Sequence, residues 1–366
     1  MRAVALFPDG PELRVIEKPR PTPEKGEALI RTVAVGIDGS DRRIAAGEIG
    51  GDVPDGEDHL VIGHEAVGVV EEPNGTDLTK GDVVAPLVRR PVDDESRFAA
   101  NGELDMAPPE SLHECGITGA HGYMAEFFTA RSEYLVSVPE SRAAYGFFVE
   151  PTSLVEKALN QAAAARSGFE WRPSSAFVLG NGNLGLLALT RLETGDEFER
   201  TYCLGRRDRP DPTIDIIEGV GGTYVDSREL SLDEFPAVHE PVDFAFETTG
   251  HPAHAVEAVD ALAPNGVVTL QGIPGSSSTF DIDGGAFHTE LVVTNKAILG
   301  VVNSRRSHFR AAAEWLRDTP ESALDALVTG VYGPDEIDEA LADSEETIKT
   351  VVSFDRLDRT SRFRLE

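Results

Sequence analysis

The run Phe-Val-Leu-Gly-Asn-Gly-Asn-Leu-Gly from Phe177 to Gly185 constrains this chain more than any other stretch. An apolar segment reads as a buried strand and leads directly into Gly180, Gly182 and Gly185, spaced G-x-G-x-x-G. Leu186 to Leu192 then reads as a helix. Glycines at these positions let the backbone turn tightly and approach a pyrophosphate, while the helix start aims free N–H groups at the same anion. A dinucleotide is therefore expected against Gly180, Asn181, Gly182, Asn183, Leu184 and Gly185.

The residues that follow select the coenzyme. Thr201 to Leu204 reads as the second strand, and at its end stand Gly205, Arg206 and Arg207. An NAD enzyme places an acid there for the ribose 2′-hydroxyl. Two guanidiniums instead suit a 2′-phosphate, which they grip through forked hydrogen bonds. NADP is expected, and Asp208 leaves room for NAD as well.

The chain has 366 residues, enough for two domains with their own cores. Its net charge is −31, and lysine supplies only six of its 33 basic residues. The acids are spread along the chain. Carboxylates at that density hold water and ions, and their repulsion is tolerable where salt screens it. This is the composition of a protein from a salt-loaded cytoplasm, and it argues against nucleic acid or an anionic membrane as partner. Two cysteines, Cys115 and Cys203, make no disulfide framework. No apolar run reaches the length of a membrane span, and Met1 to Phe7 is too short and strand-like for a signal peptide.

Up to about residue 150, apolar and polar residues alternate at period two between Gly/Pro breaks, as in Leu13–Ile16, Ala28–Val33, Ala66–Val70 and Val83–Ala85. That pattern predicts a barrel-like antiparallel domain. Arg89 to Ser111 reads as a long polar excursion. A helix from Pro151 to Ala165 leads into alternating strands and helices, the pattern of a parallel sheet covered by helices. Ala297–Val302 reads as its last strand; the remainder reads as helical until a strand at Thr347–Phe354. The fold class is α/β.

A second motif is Gly63-His64-Glu65-Ala66-Val67-Gly68, followed by Lys80-Gly81-Asp82-Val83 and preceded by Gly36-Ile-Asp38-Gly39-Ser40-Asp41. A histidine with carboxylates and one open position makes a Lewis-acid zinc site. With the glycine-rich loop, these motifs resemble the zinc-dependent medium-chain alcohol and polyol dehydrogenases over most of the chain. The resemblance implies a GroES-like catalytic domain over residues 1–155, a doubly wound Rossmann domain over 156–303 and a return to the catalytic domain over 304–366. It implies a catalytic zinc in the interdomain cleft, held by Asp38, His64 and Glu150, with Glu65 approaching the metal or completing its shell. Asp38 stands where the family usually has cysteine, so a weaker, more exchangeable metal is expected. A dead site, with Asp38 merely orienting water, is the alternative. Ser40 matches a family hydroxyl that carries the substrate proton toward solvent; otherwise it is a turn serine capping Asp41. The four-cysteine structural zinc of many relatives is impossible with one cysteine between Arg89 and Cys115, so one zinc per chain is expected.

Three patches resemble the archaeal, especially halophilic, glucose dehydrogenase branch: Glu150 to Ala158, Gly300 to Phe309, and Glu114 ahead of Gly119-Ala-His-Gly-Tyr123. The resemblance implies that Ser40, Glu114, Glu150 and Asn303 face sugar hydroxyls, with Asn303 also beside the coenzyme; His308 is either a further site residue or structural. It implies oxidation of β-D-glucose at C1 to gluconolactone, opening an Entner–Doudoroff-type route. Another aldose or polyol dehydrogenase of this fold, or an inactive NADP-binding sensor, are the competing readings. A homo-oligomer is expected, a dimer rather than a tetramer, with its seam near Ile298–Val302. The charge density itself makes a prediction: the thermal midpoint falls steadily as KCl is lowered from molar to dilute concentrations, which a series of calorimetric scans checks.

Overall fold

The computed structural model describes residues 1–275 and 279–354, and the last twelve residues of the chain lie outside the described residues. The chain divides into two compact units. One comprises residues 1–153 together with the chain from Asn303 onward; the other is Leu154–Val302. Asn303 thus falls in the first unit, and the first boundary lies inside a helix, α2, Val149–Ala165.

In the first unit, β1 (Arg2–Phe7) and β2 (Gly10–Glu17) form a hairpin, and β1 also pairs with Leu60–Val61. The long strand β3 (Glu27–Ile37) leads into the short helix α1 (Gly39–Ala45). β3 is the spine of a seven-stranded sheet. On one side lie β4 (Glu65–Glu72), β5 (Val83–Pro86) and, after a strand β6 (Phe127–Arg131) that also pairs with β3, the edge strand β7 (Leu135–Ser137). Ala28, Ile30, Val35 and Ile37 of β3 pack with Ala66, Val70 and Val84 in the core; β3 is buried along nearly its whole length, and its alternation changes phase at the register irregularity between Thr32 and Ala34.

The second unit is a six-stranded parallel sheet. Its strands are β8 (Ser175–Leu179), β9 (Arg200–Gly205), β10 (Thr223–Asp226), β11 (Val242–Glu247), β12 (Leu262–Leu270) and β13 (Ala297–Gly300). Their spatial order is β10-β9-β8-β11-β12-β13. The order reverses between β8 and β11, so a crevice opens beyond the carboxyl ends of those two strands, where dinucleotides bind in doubly wound sheets. Phe177 stacks on Phe235, centroids 4.4 Å apart, and Tyr202 meets Phe235 edge-on at 5.1 Å, filling one face of this sheet.

Three sequence expectations change. The tail contains a strand β14 (Val328–Tyr332) before β15 (Lys349–Ser353), and the two pair in parallel while β15 pairs antiparallel with β3. β14 is only partly buried and holds a glycine, so its alternation is weak. The excursion from Arg89 closes on itself: Arg89–Pro91 pairs antiparallel with Leu112–Cys115. The last strand of the parallel sheet ends at Gly300 rather than Val302.

The glycine-rich turn runs from β8 into helix α3 (Asn183–Thr194). Gly180 has φ +115°, in the left-handed region. A Cβ at Gly185 would stand 1.9 Å from the Gly180 carbonyl oxygen, so the start of the helix approaches the turn this closely only because Gly185 lacks a side chain. Gly185→Ala is expected to cost about 1–3 kcal/mol in overpacking, read from the urea midpoint in molar KCl.

Candidate metal and coenzyme site

The metal-binding candidates come from β3, α1, β4, α2 and β15. Asp38 ends the extended backbone of β3 and caps α1: its Oδ1 accepts from the Asp41 N–H (3.0 Å), while Asp41 Oδ2 accepts from the Asp38 N–H (3.1 Å). This reciprocal cap fixes both carboxylates. The cap is Asp38, not Ser40, which occupies the first turn of α1 two residues on. Asp38 Oδ2 is left pointing at His64 Nε2, 3.7 Å away, and Asp41 Oδ1 faces His64 Nδ1 at 3.8 Å. Both separations exceed a hydrogen bond. Asp41 Oδ1 and His64 Nδ1 are buried with no hydrogen-bond partner among the described residues.

Glu65, the next residue, starts β4 and is buried against Lys349 at the start of β15, with Lys349 Nζ donating to Glu65 Oε2. Gly36 makes room for this contact, since a Cβ there would strike both Glu65 Oε2 and Lys349 Cε. Glu150, in the first turn of α2, is buried too. Asp38, His64 and Glu65 place one ligand atom each within 4.8 Å of one another.

Three buried carboxylates, Asp41, Glu65 and Glu150, and the partly exposed Asp38 thus share one neighbourhood with one imidazole and one ammonium. Burial and mutual repulsion set their protonation. Burial pushes Glu150 up to about 8, against the pull of His64 and with the push of Glu65 and Asp38. Burial likewise raises Asp41 to about 7, and raises Glu65. Asp38 is held well below the usual carboxylate range, burial being outweighed by His64 and Lys349. His64 is raised well above its ordinary value, its burial outweighed by Asp38 and Asp41. Glu150 and Asp41 thus hold protons near neutral pH that a bound cation would displace. The donor chemistry, one imidazole with carboxylates, fits zinc, and 3.7 Å is close to the separation of two ligands sharing one zinc at about 2.0–2.1 Å.

The coenzyme candidates lie in the second unit. Gly180, Asn181 and Gly182 form the turn, and Asn183, Leu184 and Gly185 open α3, with Gly182 as its N-cap. Asn181 Nδ2 donates to Thr213 Oγ1 at 2.7 Å. The Thr248 hydroxyl donates to the Leu179 carbonyl at 3.0 Å, and buried Glu247 accepts from the Thr249 (2.6 Å) and Gly250 (3.0 Å) N–H groups. These contacts brace the far wall of the crevice. Gly205, Arg206 and Arg207 stand at the end of β9. One phenol anchors that turn: the Tyr224 hydroxyl accepts from the Arg207 N–H (2.7 Å) and donates to the Arg207 carbonyl (3.0 Å). Asp208 is paired with Arg228 at 2.8 Å.

Comparison with known proteins gives the same picture. Residues 24–140 match the alcohol dehydrogenase GroES-like domain, and residues 143–354 match the glucose dehydrogenase C-terminus. Glucose 1-dehydrogenase 2 of Haloterrigena turkmenica is 92% identical over 356 residues, covering 97% of this chain and 100% of that one. This chain belongs to the glucose dehydrogenase family. Glucose 1-dehydrogenase of Haloferax mediterranei is 53% identical, over 97% of this chain and 99% of its own. The structure of the Haloferax mediterranei glucose dehydrogenase in complex with NADP, zinc and gluconolactone superposes with a TM-score of 0.92 at 53% identity, covering 97% of this chain and 99% of that one. The architecture is accordingly the family's: a GroES-like domain joined to a doubly wound nucleotide-binding domain.

The remaining candidates of this family member fall in the first unit. Glu114 is no solvated loop acid: it lies on the Leu112–Cys115 strand, and Arg89 Nε donates to its Oε1 at 2.9 Å. Asn303 has φ +58°, in the left-handed region. His308 is buried in the first turn of the helix Arg306–Asp318, and its Nδ1 accepts from the Arg305 N–H at 3.3 Å, a helix-capping role. Sequence reasoning passed over Lys349 and Arg89; neither sits in a motif. Asp41 was quoted but given no role, although Asp38-x-x-Asp41 is a readable capping pattern.

The raised acids make the apo protein pH-sensitive. A carboxyl whose folded pKa lies above its unfolded value adds stability below the unfolded value and loses it as pH rises through the folded one. With Glu150 at about 8 and Asp41 at about 7, the chelated protein should lose stability between pH 6 and pH 8. Zinc should remove that loss, and urea melts at the two pH values with and without the metal check it.

Proposed function

We propose that this family member is a glucose 1-dehydrogenase that oxidises β-D-glucose at C1 to glucono-1,5-lactone, with hydride passing to NADP⁺. The observation that carries the reading is the convergence of Asp38, His64 and Glu65, one ligand atom each within 4.8 Å of one another, with Glu150 and Asp41 buried in the same neighbourhood, a donor set that suits a divalent cation. Asp38, His64 and Glu150 would hold zinc, with Asp41 orienting the His64 ring from its Nδ1 side. When bound, zinc supplies Lewis acidity, which lowers the pKa of the substrate hydroxyl. Lys349 holds Glu65 in place beside this set. Ser40 takes the substrate proton and passes it to solvent. Arg89 occupies one oxygen of Glu114 and leaves the other to accept from a sugar hydroxyl, and Asn303 serves the sugar and the coenzyme. A sugar needs such polar partners rather than an apolar slot.

The N–H groups at the start of α3 take the pyrophosphate, and Arg206 with Arg207 the 2′-phosphate. The pairing of Asp208 with Arg228 draws off the charge that would oppose that phosphate, so NADP is preferred over NAD. The chain works in a salt-rich cytoplasm as a homodimer. The seam is β13, the edge strand of the parallel sheet, with the helix α4 (Gly284–Thr294), which buries none of its residues and exposes Val292 at 63% and Val293 at 72%. No helix among the described residues is long and apolar enough to cross a membrane.

The test is reduced-coenzyme absorbance in molar salt over a panel of aldoses and polyols. Glucose should be oxidised, chelator should abolish turnover and zinc restore it. Arg206→Ala with Arg207→Ala should raise KM for NADP⁺ about 10–100-fold and leave NAD⁺ unchanged, the loss of one or two charged hydrogen bonds. Tight NADP binding with no turnover on any sugar would leave a sensor.

A further inference from the structure

A second group of ligating side chains lies in the first unit, away from His64: Glu57, His59 and His121 place one ligand atom each within 4.8 Å of one another. The imidazoles of His59 and His121 stack, centroids 5.0 Å apart and 25° from parallel. Their Nε2 atoms converge on Lys18 Nζ, at 2.7 Å and 3.2 Å. Lys18 follows β2, and its main chain is tied to Met1 in both directions.

The hydrogen bonds around the two rings dictate where the protons sit. The Val61 N–H donates to His121 Nδ1 at 3.1 Å, so that atom carries no hydrogen. A neutral ring then carries its hydrogen on Nε2. Burial holds His121 below its ordinary value, so the ring is neutral at pH 7. Its Nε2 therefore offers a hydrogen rather than a lone pair, which rules against a metal ion here. His59 Nδ1 lies 2.7 Å from Asp58 Oδ1 and donates to it, leaving Nε2 to accept. Lys18 Nζ is thus asked to donate to His59 and to accept from His121. An ammonium has three hydrogens and no lone pair; only the free amine does both.

We propose that Lys18 is the reactive amine of this chain, a site where small aldehydes, the open-chain form of an aldose among them, condense to an imine. The nitrogen lone pair attacks the carbonyl carbon, and His59 Nε2 passes one of the two nitrogen protons to the carbonyl oxygen, which becomes a hydroxyl. The nitrogen lone pair then forms the C=N bond as the hydroxyl departs, and His59 Nε2 passes the second nitrogen proton to it to make water. Amine and aldehyde become imine and water, with no oxidant or reductant. Burial lowers the Lys18 pKa, against the opposing charges of Glu57 and Asp58. The remaining charges nearby are the Met1 ammonium and Glu17, 3.7 Å from it.

Exposure alone would rank the lysines the other way, since Lys25 and Lys80 are exposed and Lys18 is half-buried. The full chain in molar KCl is treated with glycolaldehyde and cyanoborohydride, which traps the imine, and peptide mass spectrometry reads the rate at each lysine. At pH 7 Lys18 should react at least about tenfold faster than Lys25 and Lys80. From about pH 7 to pH 9 its rate should stay nearly flat while theirs climb roughly tenfold per unit, as ordinary amines do. His121→Phe, which keeps the ring stack and removes the N–H, should give Lys18 the same steep profile. A Lys18 rate no greater than that of Lys25, or an equally steep profile in the unsubstituted chain, overturns the assignment without reference to any variant.

Discussion

Charge balance around His64 governs the first unit. Three acids, a histidine and a lysine are drawn out of water, with the partly exposed Asp38 beside them, by β3, α1, β4, α2 and β15, elements that are distant in sequence. Burying that much negative charge is costly unless something positive joins it. Lys349 answers for one acid, Glu65. The capping box fixes Asp38 and Asp41 in place but neutralises neither. The remaining acids are balanced by His64 and by protons that a cation could replace, and pairing β15 with β3 brings in the lysine that answers Glu65.

The nucleotide-binding unit was legible in the sequence because its signals are local. A strand, three glycines and a helix follow one another within twenty residues, and the crossing order of the sheet follows from repeated strand–helix units. His64 and Glu65 were legible for the same reason, sitting in one short motif. Lys349 was not, because it meets Glu65 across 284 residues of chain, through strand pairing that periodicity does not encode. β14 was missed because Val328–Tyr332 is half-exposed and interrupted by Gly330, so neither period stands out. Glu114 was read as a candidate without Arg89, since a short antiparallel pairing inside a polar loop leaves no composition signal.

Lysine is scarce here, and its placement follows a pattern. Lys157 and Lys349 are buried, and the Lys296 side chain is only 4% exposed. Each is used for a specific contact: Lys157 donates to the Val302 carbonyl, Lys296 to the Val259 carbonyl and Glu290, Lys349 to Glu65. On the exterior arginine is the more frequent partner of the acids, as in Arg131 with Asp94 and Arg200 with Glu240, beside the lysine pair Lys80 with Glu71. Planar guanidinium forks hold two carboxylate oxygens where salt weakens looser pairs.

The Tyr224 phenol, clamped to both main-chain groups of Arg207, separates the shape of that turn from the identity of its side chains. Whatever residue occupies position 207, the amide and carbonyl there keep their partner. On the proposed role of Arg206 and Arg207 at the 2′-phosphate, their side chains could be exchanged for ones that favour the other nicotinamide dinucleotide while the scaffold beneath stands unaltered. Coenzyme choice in this lineage becomes an interchangeable fitting mounted on a fixed bracket.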